Sequence, residues 1–95
     1  MTRTELEIKA PEDFHKLEKV YDYIFLNKCL ELDNDRNAKL MLRLAIYFAE
    51  EVMVLTRWPK EKILDAALTA VYPVKNFHWI EHKEFTHVVI VREYL

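Results

Sequence analysis

The chain contains no glycine, no serine and no glutamine. Phosphate-cradling loops and dinucleotide fingerprints need glycine so that backbone can approach the phosphates, and both are excluded. A GxxG nucleic-acid clamp falls with them. Without serine there is no serine-hydrolase nucleophile. Cysteine occurs once, as Cys29, so no intrachain disulfide can form, and a small chain of this kind relies on core packing in a reducing compartment. Cys29 has no histidine at local spacing and is expected to be an inert buried hydrophobe. Long apolar runs are missing too: 23–26, 44–49 and 52–55 are the longest, far short of the roughly 20 residues that span a bilayer. Met1-Thr2-Arg3-Thr4-Glu5 holds no apolar segment, which predicts neither a signal peptide nor a membrane anchor, and a cytoplasmic address. Nor does one sign of charge dominate. The net charge of −2 argues against bulk electrostatic coating of nucleic acid.

What is present fits one globular domain: 95 residues, 52% of them apolar and 32% charged. Residues 4–9 alternate strictly, with Thr4, Leu6 and Ile8 on one side and Glu5, Glu7 and Lys9 on the other, which predicts a half-buried strand. Pro11 suits the first position of a helix, and Glu12 and Asp13 favour its positive end, so a helix is predicted over 11–32. Its stripe is Phe14, Leu17, Val20, Tyr21, Ile24 and Phe25, and its second half is apolar all round. Asp33-Asn34-Asp35 supplies caps for a second, central helix over 35–57. Trp58-Pro59 ends it and starts a third helix reaching about Tyr72, with Val71 inward. Residues 76–81 and 85–93 read as a β-hairpin around His82-Lys83-Glu84. The expected fold is therefore α+β with the order β-α-α-α-β-β, helices packed on one face of a small antiparallel or mixed sheet.

Three constellations carry potential chemistry. The basic face Arg36, Lys39 and Arg43, continued by Arg57, Lys60 and Lys62, is a candidate phosphate or acidic-partner surface, because residues three and four apart align on a helix. His78, His82 and His87, with Glu81 or Glu84, are the metal-ligand types that zinc or manganese uses. Their spacing matches no zinc signature, and a hairpin tip is polar in any case because it is solvated. Glu51 stands among Leu40, Leu44, Leu55 and Trp58 on a helical wheel, where a carboxylate either titrates high or pairs with a cation from another element. Tyr23, Leu26, Leu30 and Trp79 are candidate interface anchors, being apolar beyond what three helices and three strands can cover.

No motif matches a named family. The reading that follows is a non-catalytic protein-binding or regulatory module without a cofactor. It would be homo-oligomeric and would modulate or inhibit a cellular partner, in the manner of phage or mobile-element accessory proteins. The alternatives are nucleic-acid or nucleotide binding through the basic face of helices two and three, and a metal-dependent hydrolase on the histidine-bearing hairpin. No membrane partner is expected.

Overall fold

The computed structural model describes residues 3–17, 19–70 and 73–93. It overturns the expected layout. Strands run through the whole chain: β1 (Glu5–Ile8), β2 (Tyr21–Asn27), β3 (Ala49–Thr56), β4 (Val74–Ile80) and β5 (Thr86–Arg92), with helices α1 (Asp35–Phe48) and α2 (Lys60–Leu68) between them. Two short 3-10 helices, Pro11–Lys16 and Leu30–Leu32, fill the remaining connections. The five strands form one mixed sheet in the order β1-β2-β3-β5-β4. β1, β2 and β3 are mutually parallel, and β5 runs antiparallel to both β3 and β4. Four strands thus point one way and β5 alone points back.

The first predicted helix is instead a 3-10 turn and a strand. In the turn, the Asp13 carboxylate accepts from the Lys9 and Ala10 amides at 3.1 and 3.3 Å, capping its start, and the Leu17 amide closes its end on the Phe14 carbonyl. Beyond it, β2 is apolar on both faces: Ile24 and Leu26 are buried on one, and Tyr23 and Phe25 are partly exposed on the other. A parallel strand with apolar residues on both faces reads as a continuous apolar run. Such a run matches helical and strand spacing equally well.

The second predicted helix is half right. Asn34 caps α1, its side-chain oxygen accepting from the Asn37 amide at 2.9 Å. The helix stops at Phe48, and Ala49 is already extended at φ −140° and ψ 150°. No loop, glycine or proline separates the two elements. The β-branched run Val52-Met53-Val54 then carries β3. α2 begins after Pro59 as expected and ends at Leu68. The predicted extension to Val71 and Tyr72 lies outside the described residues. The hairpin forms close to its predicted bounds.

The core lies on one face of the sheet. Ile8, Ile24, Leu26, Val52, Val54, Val88 and Ile90 point there and are at most 1% exposed. They meet Ala38, Met41, Leu42, Ala45 and Ile46 of α1, and Ile63, Ala66 and Ala67 of α2. Removing residues of this size from water contributes roughly 1.5–3 kcal/mol each. Cys29 sits in the same core, its Sγ 4.0 Å from the Met41 sulfur.

Candidate functional site

Residues of the opposite parity form the second face of the sheet. Three cross-strand rows define it: Glu5, Tyr23, Glu51, Val91 and Asn76; Glu7, Phe25, Met53, Val89 and His78; and Asn27, Leu55, His87 and Ile80. None of these is buried; the central apolar ones are half-covered, and Ile80 is 42% exposed. The strip Tyr23, Phe25, Met53, Leu55, Val89 and Val91 is thus an apolar band across β2, β3 and β5. At its β1 side stand Glu5 and Glu7, and at its β4 side Asn76 and His78.

Glu51 lies on this face beside Tyr23. Its carboxylate accepts from Arg3 Nη2 at 3.0 Å, and the same guanidinium lies 4.8 Å from the Tyr23 ring centroid. The ion pair, and not a proton-transfer role, is what its surroundings supply. Of the interface candidates, Tyr23 is on the open face, while Leu26 and Leu30 are fully buried in the chain's own core. Trp79 points to the covered side at the β4 edge, stacked on Phe77 at 5.8 Å and beneath the Lys60 ammonium at 4.7 Å.

The basic residues separate into two groups. Lys39 pairs with Asp65 at 3.4 Å, Arg43 donates to the Ala66 carbonyl at 3.3 Å, and Lys62 pairs with Asp35 at 2.6 Å. These contacts staple α1 to α2, and the Lys62 contact holds Asp35 below the usual carboxylate range. Arg36 is exposed on the first turn of α1. Arg57 and Lys60 go elsewhere, to the rim where β1 to β4 end and β5 begins.

That rim is built by threonines. Thr56, paired across the sheet with Thr86, is fully buried; its hydroxyl donates to Glu31 at 2.5 Å and accepts from the Trp58 amide at 3.2 Å. The Thr86 hydroxyl donates to the Trp58 carbonyl at 2.6 Å. The Arg57-Trp58 turn is thereby pinned. Arg57 and Lys28 both lie 4.8 Å from the Phe85 ring centroid. Lys28 follows β2, Arg57 follows β3 and Phe85 precedes β5, so three adjacent strand ends contribute. Nothing in the sequence singles out Lys28. Its role comes from a backbone at φ 55° and from neighbours distant along the chain.

His82 occupies the hairpin tip, where its Nδ1 accepts from the Glu84 and Phe85 amides, both at 3.2 Å. The ring's proton therefore sits on Nε2 in the neutral form. His87 lies 6.4 Å away between ring centroids, and its buried Nε2 has no hydrogen-bond partner. Burial, and then the nearby His82, push the His87 ionisation down. His78 is on the open face with Asn76, 3.2 Å from its amide. Among the described residues no three His, Cys, Asp or Glu side chains are grouped as a metal site requires.

No described protein family and no curated protein matches the sequence. A solved structure with a similar fold is that of an O-methyltransferase family protein from Burkholderia thailandensis: TM-score 0.68 at 16% identity, over 86% of this chain and 33% of that one. This chain spans about a third of that protein's length, and the likeness is one of fold.

Proposed function

We propose that the chain is a small non-catalytic binding module that works by association, and that the open sheet face is the surface it uses, against a second copy of itself. One observation carries the reading: a sheet with three parallel strands has apolar side chains on both faces, and among the described residues only one face is covered. Parallel strands occur almost only where both faces are packed. The band Tyr23, Phe25, Met53, Leu55, Val89 and Val91 therefore has the composition of an interior but is only partly covered.

A second copy suits the polarity of its edges. A two-fold axis parallel to the strands lays β1 of one copy over β4 of the other. Glu5 and Glu7 then approach the partner's His78 and Asn76 side, and the apolar bands meet at the centre. Sheets stack in this way at about 10 Å. Five strands at about 4.8 Å, each contributing about five residues at 3.3 Å, give a footprint of roughly 400 Å² per copy. This is well under the ~800 Å² per partner of a standard complex. The expected dimer is accordingly reversible, with a Kd in the micromolar range.

Sedimentation equilibrium of the purified chain, over concentrations up to several hundred micromolar, tests this. The expected result is a concentration-dependent dimer that Met53→Lys abolishes while the far-ultraviolet circular dichroism stays unchanged. A chain that remains monomeric throughout overturns the reading.

A further inference from the structure

A different surface supports a ligand site, independently of the open face. We propose that the rim at the carboxyl ends of the parallel strands binds a phosphate group, as inorganic phosphate or the terminal phosphate of a small phosphomonoester, through Lys28, Arg57 and Lys60. In open α/β sheets ligands collect outside the carboxyl ends of the strands. Here that rim holds three cations, with Glu31 and Glu81 as the acids beside them.

Elsewhere in the described residues, five cations are spent on acids. Arg3, Lys9, Lys16, Lys39 and Lys62 all make ion pairs. Lys28, Arg57 and Lys60 make none among the described residues; they lie against the rings of Phe85 and Trp79. A ring orients a cation without cancelling its charge. Glu31, in the 3-10 helix after β2, accepts from the Thr56 hydroxyl.

Two further features converge on the same place. α2 starts at Lys60, and no side chain caps its first amides. The positive end of a helix dipole therefore faces the rim. Between α2 and the hairpin lies an open cleft of about 370 Å³, lined by Lys60, Trp79, His82, Phe85 and His87, and also by Glu81.

The Lys28 backbone points the same way. It is the one non-glycine residue with positive φ among the described residues, at 55°. A side chain held in that region persists where the surroundings over-determine it, and such positions gather at ligand sites. The strain turns the chain out of β2 while the Lys28 amide still donates to the Leu55 carbonyl at 2.9 Å.

Isothermal titration of the intact chain with sodium phosphate at low ionic strength, followed by 2-phosphoglycerate and by a ten-residue oligodeoxythymidylate, tests the assignment. Phosphate is expected to bind with a Kd on the order of 1 mM. Lys28→Ala combined with Arg57→Ala should weaken it at least tenfold, as should Lys60→Ala alone. Lys75→Ala, at the opposite end of the sheet, should change nothing. Tighter binding of phosphoglycerate than of phosphate identifies the phosphomonoester as the form held. No heat with any probe, or phosphate binding untouched by the rim substitutions in a folded protein, overturns the proposal. So does a strand that binds a hundredfold tighter than phosphate, because the site would then follow a polymer backbone.

Discussion

At the scale of single residues, three side chains give direct tests. Burial pushes the Cys29 thiol up to about 12, so the reactive thiolate is scarce at neutral pH. A disulfide reagent should leave the native protein unmodified and titrate one thiol after denaturation. Lys28 carries a conformational cost that glycine would not. Lys28→Gly should raise stability by about 1 kcal/mol in urea unfolding while removing a rim cation. His87 sets the behaviour in mild acid. Its folded-state ionisation lies below the ordinary 6.5, so the unfolded chain takes up a proton first as pH falls. Stability should therefore decline as pH drops below about 6.5, and His87→Phe should remove that part of the slope. Asp13, Asp22 and Asp35 are also depressed, the first two chiefly by backbone amides and the third by Lys62. Their contribution is complete above the ordinary 3.8 and is lost below it, giving a second decline in stronger acid.

At the scale of elements, β3 is the keystone, since it pairs with β2 on one side and β5 on the other. Ile24→Ala in neighbouring β2 removes a fully buried side chain and should cost about 2–5 kcal/mol. Amide exchange should be slowest in β3 and fastest in the 3-10 turn Pro11–Lys16, which buries no residue. The same elements show what the sequence could disclose. β1 was legible because its alternation matches a strand with one wet face. The start of α1 was legible because Asn34 is a capping residue, and the hairpin because its β-branched residues leave one interpretation. β2 was not, because Tyr21, Ile24 and Phe25 satisfy helical spacing while Tyr23 and Leu26 complete a strand that is apolar on both faces. The end of α1 was invisible for a different reason. Phe48 and Ala49 change conformation with no punctuating residue between them, and only the pairing of β3 with two neighbours decides the boundary. The rim depended on those errors. Arg57 and Lys60 were singled out, but as part of a helical face with Arg36, Lys39 and Arg43. Lys28 meets Phe85 only once both strands are in place.

At the scale of the whole molecule, two surfaces are left to act outward: an apolar sheet face and a basic rim. They share His87, whose backbone pairs with Leu55 and Ile80 on the face and whose ring lines the rim cleft. Association and ligand binding are therefore expected to influence one another, and titrating phosphate during sedimentation would measure the coupling. The strand order has a further consequence, for how the chain reaches this state. Only β4 and β5 form a hairpin; every other pairing closes over a helix or a long connection. Such topologies collapse slowly, because chain entropy is spent before distant partners meet. β5, the last strand made, is also the one that completes the sheet beside β3. A nascent chain therefore holds β1 to β3 without β5 beside them until residue 92 has emerged, and a version stopped at Glu81 should show no cooperative unfolding transition.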